Sequence, residues 1–534
     1  MSSKMAAILE NSSIYALLLS GLVLGAIVLW QLQTYKPRDP REPPMLPARI
    51  PYIGHILGLI IHQAEYFQQL ASRTTFPIFS LKMLSGELYV VTSPDLIKAI
   101  VKNPKVFTFD EIFVVASESV FALTKRQMDI LKEPRVGSNE KYPIAKDTQQ
   151  SMHRTMNPGA SLDHLNARAL NRFARFVNPI GPTGINVKLY EWIRHAFTLS
   201  TMEAIYGPIN PFSEDESLIP TLQHFEDDIG LLYLNVLPQY TARAGYKARI
   251  TMANSFKKYY DNKHNIDSSA LIKARYEALT QGFNTDDVAA FDIGVCVAAT
   301  TNSVPGTFWF LVRIFSSPDL LAALREEVEP LVTRKPGSNE AIVNVAGFMK
   351  SCPLLTSTWQ ETLRSIAATV TARTVTEDTM LNGQYLLKKG SYIQMAAGPM
   401  HSSPTIWGPD ANDFNPSRFM PSTVSSLPKA EQKQRKTAFA PFGGGAVLCP
   451  GRYFASTEIL GIVATMVLGF EVVSKDGGSL KLPRIKKQTM AVQVRHPVGD
   501  MDVTIKRRKG WENVKFAYDV VGDGAVEGEG LVFD

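Results

Sequence analysis

The chain holds 534 residues, 45% of them hydrophobic and 20% charged, with a formal net charge of +6 and a pI near 8.9. This balance excludes a disordered or collagen-like chain and supplies apolar side chains for one large core, which no interior linker divides. No block of like charges alternates with aromatic residues, which excludes a nucleic-acid groove; the mild basic excess suits a membrane surface or an acidic partner. The three cysteines, Cys296, Cys352 and Cys449, lack the spacing of a disulfide scaffold or zinc site, which points to a reducing compartment.

At the N-terminus, Ile14 to Trp30 is an uncharged run near the lower limit of about 17 residues that spans a bilayer. Tyr15 and Trp30 suit its two interfaces, and Lys36, Arg38, Arg41 and Arg49 follow it against Lys4 alone before it. The positive-inside rule then puts the bulk of the chain in the cytosol. Residues 14–32 are expected to form an uncleaved anchor after a short lumenal stretch, 1–13, that carries the sequon Asn11-Ser12-Ser13. A cleaved secretory signal is the alternative, but its basic flank belongs before the apolar run. Residues 33–51 follow as a tether, in which repeated prolines from Pro37 to Pro51 stop the helix and keep the chain extended.

Residues 52–509 read as one body, mainly α with small β-sheets, with strand-like pieces at Ile78 to Val91, Tyr385 to Met395 and Met490 to Ile505. The apolar helix Phe291 to Phe315 contains Pro305, which offers no N–H to the Thr301 carbonyl and pushes that turn apart. A local opening follows, or simply a kinked core helix. Glu361 and Arg364 share one face of the helical segment Pro353 to Ala368. Taken alone such a pair is a surface contact worth about 0–1 kcal/mol. Lys429, Lys433, Arg435 and Lys436 are a basic run, either a docking patch for an acidic protein or solvated charge. Residues 510–534 set Glu512, Asp519, Asp523, Glu527, Glu529 and Asp534 against one lysine and read as a loosely held acidic tail.

Pro441 to Arg452 reads Pro-Phe-Gly-Gly-Gly-Ala-Val-Leu-Cys-Pro-Gly-Arg. Its glycines let backbone approach a flat cofactor and free N–H groups toward sulfur. Pro450 suits the first position of a helix to Leu468, which puts Cys449 at the N-cap, where the helix dipole lowers a thiol pKa. A thiolate there is a ligand for iron; a buried structural cysteine is the alternative.

Phe442, Gly443, Gly445, Cys449 and Gly451 resemble the cytochrome P450 signature Phe-Gly-x-Gly-x-Arg-x-Cys-x-Gly, with Val447 where that family carries an arginine. The resemblance implies the cytochrome P450 fold preceded by a transmembrane helix, with haem (iron protoporphyrin IX) as cofactor and Cys449 as its metal ligand. It also implies that Phe442, Gly443 and Gly445 bind the haem. Arg373 is the candidate partner of a haem propionate, an exposed strand arginine being the alternative; His153 and Arg154 are further candidates. Phe414 to Phe419 is similar to the family's Pro-Glu-Arg-Phe element, which implies a buried network of Glu361, Arg364 and Arg418.

Thr301 and Asn302 occupy the positions of the family's catalytic acid and threonine. An alcohol supported by a carboxylate relays protons, whereas an amide holds a water and shuttles protons poorly. Asn302 with Val304-Pro305 is similar to the sterol 7α-hydroxylase and prostacyclin synthase branch, in a fungal biosynthetic member. The resemblance implies a monooxygenase of the endoplasmic reticulum membrane, single-pass with a cytosolic catalytic domain. Its electrons would come from NADPH-cytochrome P450 reductase, because no Gly-rich dinucleotide fingerprint follows a strand here. By position in the family, Thr108 to Leu123, part of Glu203 to Leu237, and Ile366 to Val370 close the pocket. Phe113, Phe121, Leu232 and Tyr233 there suit a lipophilic substrate such as a sterol or terpenoid. The branch also contains isomerases, so a haem-thiolate isomerase or dehydratase needing no external electrons is the alternative, with a membrane-anchored haem sensor third.

Overall fold

The computed structural model describes residues 38–48, 55–83, 86–134, 141–334, 337–368, 370–486 and 492–520, together with Gly21 and Gly25. The expected anchor run and the acidic residues beyond Val520 lie outside the described residues.

The helices that build the site, in chain order, are α1 (Ile56–His62), α2 (Pro94–Val101), α3 (Asp110–Ser119), α4 (Pro143–Met156), α5 (Ala160–Val177), α6 (Leu189–Tyr206), α7 (Leu218–Leu234), α8 (Arg243–Asp261), α9 (Thr285–Thr300), α10 (Ser303–Phe315), α11 (Pro353–Ile366), α12 (Lys429–Ala438) and α13 (Arg452–Gly469). The stretch covering α9 and α10 is apolar and long enough to cross a membrane by composition, yet most of it is enclosed by neighbouring helices as the central core element. Its start is set by a capping box. The Asn284 side chain accepts the Asp287 N–H at 2.9 Å, and the Asp287 carboxylate accepts the Asn284 N–H at 3.1 Å.

Strands β1 (Ile78–Lys82), β2 (Glu87–Val91), β3 (Phe107–Thr108), β4 (Val370–Val375) and β5 (Tyr392–Ala396) form one sheet in the order β1-β2-β5-β4-β3. β2 and β5 run parallel, with Val90 opposite Gln394, and the remaining pairs are antiparallel, with Arg373 opposite Ile393. Alternation sends Ile78, Tyr89, Val91, Ile393 and Met395 to one apolar cluster and Phe79, Leu81, Val90 and Ala396 to another, so the sheet is covered on both faces.

The acidic-tail expectation is corrected for its first part. Trp511 is buried and stacks on Phe516 at 5.4 Å, and Lys515–Asp519 pairs in parallel with Glu340–Asn344. Val514, Phe516, Tyr518 and Val520 alternate at the period of a strand, and that pattern outweighs the acidic count around it.

One buried carboxylate organises the segments before the cysteine loop. Arg364 Nε and Nη2 each donate to Glu361 at 2.7 Å, Arg418 Nε donates to both Glu361 oxygens at 3.2 and 3.1 Å, and the Asn415 N–H adds a bond at 3.0 Å. The expected three-residue network is therefore present. Arg418 Nη2 also donates to Asp410 Oδ2 at 3.0 Å, a fourth member absent from the motif reading. Arg364 Nη1 donates to the carbonyls of His401 and Ala411. His401 is buried, which pushes its pKa down to about 4, so the ring is neutral. Nδ1–H donates to the Ala367 carbonyl at 2.8 Å and Nε2 accepts the Ala440 N–H at 3.3 Å, tying the end of α11 to the start of the cysteine loop.

Replacing Glu361 with Gln leaves two buried guanidinium groups short of their counter-charge. The expected loss is about 3–5 kcal/mol, read as a lower denaturant midpoint. Glu458 on α13 gives a pH-dependent test. It is buried and accepts the Thr201 hydroxyl of α6 at 2.8 Å, and burial pushes its pKa up to about 8 from an ordinary 4.5. The native state holds a proton that the unfolded chain releases above 4.5, so this contribution is full at low pH and lost as pH rises toward 8. Glu458→Gln escapes the loss, and the excess of its Tm over that of the wild type is expected to grow from about pH 5 to pH 8 and then level off.

Candidate functional site

The loop from Pro441 to Gly451 is closed by its own backbone. The Cys449 N–H donates to the Phe442 carbonyl at 3.1 Å and the Leu448 N–H to the Gly445 carbonyl at 2.9 Å, around a short turn at Gly445–Val447. Gly443 and Gly445 have φ of +78° and +65°. A Cβ on Gly445 would stand 2.4 Å from Val101 Cγ1 of α2, so both conformation and packing demand glycine there. Phe442 is half-buried and packs on the central core.

The start of α13 differs from expectation. Its N-cap is Gly451 and its first residue Arg452, so Cys449 and Pro450 belong to the preceding turn. Cys449 thus stands two residues ahead of the N-cap. Burial pushes its thiol pKa up, while the Gly451 N–H and the Arg452 guanidinium act in the opposite direction. The expected net lowering by the helix dipole is overturned by desolvation of the free thiol. Cys449 is nonetheless the part-exposed member of the three cysteines, Cys296 and Cys352 being buried.

One guanidinium group, that of Arg373, borders this loop with its charge unspent. Arg373 on β4 is 4% exposed, which removes the exposed-strand alternative. It donates to the Ala372 carbonyl at 2.7 Å and the Gly444 carbonyl at 3.5 Å, and no carboxylate lies within ion-pair reach among the described residues. Burial pushes its pKa down to about 10. Arg495, which the sequence reading missed, has a buried Nε without a partner and one bond, at 3.3 Å, from Nη2 to Gln68 Oε1. Its pKa is likewise lowered by burial. Buried cations in this state attract an anion. On α4, His153 is half-buried beside Arg452, whereas Arg154 is exposed.

The long apolar helix is interrupted at Thr301 and Asn302, four and three residues before Pro305, where the missing N–H requires a break. Ala298 is exposed on a helix otherwise largely enclosed, leaving open space at this level. Asn302 Oδ1 accepts the N–H groups of Gln493 and Val494, both at 3.0 Å. The Ala368 N–H donates to the Gln493 carbonyl at 3.0 Å, and the Arg495 N–H to the Ile366 carbonyl at 3.2 Å. One carboxamide therefore fastens the end of α11 and the segment 492–495 to the helix break. Thr301 Oγ1 donates in turn to Glu226 Oε1 of α7 at 2.5 Å, and Arg194 Nη1 of α6 stands 3.4 Å from the other oxygen. Burial pushes the Glu226 pKa up, with Arg194 and Thr301 opposing.

The expected pocket segments meet in part. Phe121 lies 6.4 Å from Phe225 of α7, and its ring stands 3.2 Å from where a Cβ on Gly294 of α9 would sit. Phe113 and the buried Leu232 join the same apolar cluster, but Tyr233 is exposed. In the basic run, Lys429, Lys433 and Lys436 are exposed on α12. Arg435 turns inward to the carbonyls of Ile406 and Trp407 at 3.0 and 3.4 Å.

The sequence profile of the family described as Cytochrome P450 matches residues 240–498, the span that carries the helix break, the buried network and the cysteine loop. Cytochrome P450 monooxygenase nodJ of Hypoxylon pulicicidum is 32% identical over 489 residues, covering 90% of this chain and 93% of that protein. A cytochrome P450 monooxygenase of Gibberella zeae is 30% identical over 512 residues, covering 93% of this chain and 95% of that protein. Cholesterol 7-alpha-monooxygenase of Cricetulus griseus is 25% identical over 519 residues, 90% of this chain and 96% of that protein. The chain therefore belongs to the cytochrome P450 family of monooxygenases, whose members bind haem through a cysteine thiolate.

Proposed function

We propose that Cys449 is the thiolate ligand of the haem and that the enzyme oxidises a lipophilic small molecule, of sterol or terpenoid class, at the cytosolic face of the endoplasmic reticulum membrane. The observation that carries the haem assignment is Arg373, a buried cation without a carboxylate, bonded to the carbonyl of Gly444 in the cysteine loop. A haem propionate supplies the missing anion, so Arg373 takes the part that Val447 cannot.

When bound, the haem supplies dioxygen activation, with electron density donated by the thiolate. The protein's residues do the rest. The Gly451 N–H and Arg452 favour the sulfur in its anionic form, against the larger effect of burial on the free thiol. Phe442 packs beside the sulfur, and Gly443 and Gly445 keep the loop close to the flat group. The small Ala298 leaves room for substrate, and Phe121 and Phe225 exclude water from the pocket. Asn302 orients its carboxamide: with Oδ1 held by two backbone donors, the NH2 group is the face available to a substrate oxygen or a water.

Membrane attachment is supported by the apolar run Ile14 to Trp30 and by exposed apolar side chains after α7. Leu234, Val236 and Leu237 are each 62% exposed, and α1 adds Ile60 and Ile61. Lys429, Lys433 and Lys436 suit an acidic reductase that delivers electrons from NADPH. The hamster relative's name gives a sterol substrate for that protein, which supports a sterol-class molecule here.

The reduced carbon monoxide difference spectrum of the membrane-expressed protein tests the haem assignment. A red-shifted Soret band is expected in the wild type and absent in Cys449→Ser; a folded wild type without that band overturns it. Arg373→Leu is expected to lower haem content per protein several-fold with the circular dichroism spectrum retained, and Arg373→Lys to lower it less. Product formation is expected to need both NADPH and reductase. Turnover in their absence would favour the electron-free rearrangement instead.

A further inference from the structure

A monooxygenase turnover converts one dioxygen, two electrons and two protons into one product oxygen and one water. Protons must therefore reach an apolar, water-poor pocket at the rate of the electrons. Asn302 does not carry them, because its carbonyl oxygen is occupied by the Gln493 and Val494 N–H groups and its amide releases no proton in this range. The neighbouring Thr301 hydroxyl has an acidic partner brought from another helix. Glu226 on α7 is 5% exposed and lies 2.5 Å from Thr301 Oγ1, at the one place where the central helix is open. A small cavity adjoins this pair, lined by Tyr190, Arg194, Glu226, Thr301, Pro305 and His496 among others. The His496 Nδ1 lies 3.2 Å from the Tyr190 hydroxyl, and the ring stands against the Thr301 carbonyl that Pro305 leaves free. Burial keeps this ring neutral, with a pKa lowered to about 4. A cavity walled by these polar groups is a water site. Asp227, the next residue after Glu226, pairs with Lys486 at 3.2 Å on the half-exposed surface, so bulk water lies one residue away.

We propose that Glu226 supplies the protons of turnover, acting through the Thr301 hydroxyl at the helix break, where Thr301 and Asn302 stand and the helix carries no carboxyl of its own. When protonated, the Glu226 carboxyl donates its proton to Thr301 Oγ1 as the Thr301 O–H passes its own proton to a water in the opening beside Asn302. Arg194 holds the carboxylate that remains, and the cavity water passes to it a proton taken up from bulk solvent, leaving the water unchanged; no electrons move in this step, the reductase supplying both. Glu226 is thus a positioning and proton-supplying residue rather than one that touches the substrate. The inference rests on the haem-monooxygenase reading but not on any substrate.

The test uses holoenzyme in membranes with reductase, NADPH and dioxygen and no added substrate, comparing wild type, Glu226→Gln, Glu226→Asp, Thr301→Val and Thr301→Ser. Glu226→Gln and Thr301→Val are expected to keep the reduced carbon monoxide band, release a several-fold larger share of NADPH electrons as hydrogen peroxide rather than water, and show a larger solvent deuterium effect. Thr301→Ser should match the wild type, and Glu226→Asp should recover part of the coupling. Infrared spectra supply a readout independent of turnover. In the difference spectrum against Glu226→Gln, which cancels other buried carboxyls such as Glu458, a deuterium-sensitive protonated-carboxyl band is expected from the wild type and at a shifted position from Thr301→Val. Variants with the carbon monoxide band intact and a wild-type peroxide share would overturn the proposal. If Glu226→Gln loses its haem because Arg194 is left unpaired, Thr301→Val decides the outcome. A wild type that lacks the carbon monoxide band would overturn the haem assignment itself, and this inference with it.

Discussion

Glu361 has no exposed surface, and both of its oxygens are shared between the guanidinium groups of Arg364 and Arg418, an arrangement that a low-dielectric interior tolerates only when closed. The closure extends outward, because each arginine has donors left over. They are spent on the carbonyls of His401, Trp407, Ala411 and Asp413, which fixes an irregular stretch that hydrogen bonds of regular secondary structure do not hold. His401 then passes the constraint to Ala440, one residue before the cysteine loop. The position of the sulfur is thus set by a charge cluster that never meets the substrate.

Arg373, buried beside that loop, follows the opposite logic. Arg364 and Arg418 are neutralised within the protein, whereas Arg373 has no carboxylate within reach among the described residues. A buried cation in that state destabilises a fold until an anion meets it. Val447 breaks the family signature, and Arg373 on β4 brings a cation to the loop that carries it.

Legibility followed sequence distance. The network of Glu361, Arg364 and Arg418 was visible because two members share a helical face and the third sits in a recognisable element. The break at Thr301 was visible because a proline acts locally on the carbonyl four residues back. Glu226 was not. It stands in the run Glu226-Asp227-Asp228, which looks like a solvated helix face, and only contact with a helix 75 residues away distinguishes the one acid turned inward. Arg495 and Asp410 escaped for the same reason. Cys449 was given a helix N-cap by the preference of proline for the first helical turn, but Gly451 takes that position and the turn keeps Pro450 outside. The strand after Trp511 was hidden because charge was summed over a window in which alternation was the better guide.

Asn302 joins two properties that a designer would prefer to keep apart. Its oxygen clasps the loop at Gln493 and Val494, and the residue itself stands at the break in the central helix. A threonine hydroxyl sits one bond nearer the backbone and falls short of these two donors, so restoring the commoner alcohol would release the segment at Gln493 and Val494 from the helix break. The residue that departs from the family's alcohol is therefore also a fastener of the fold.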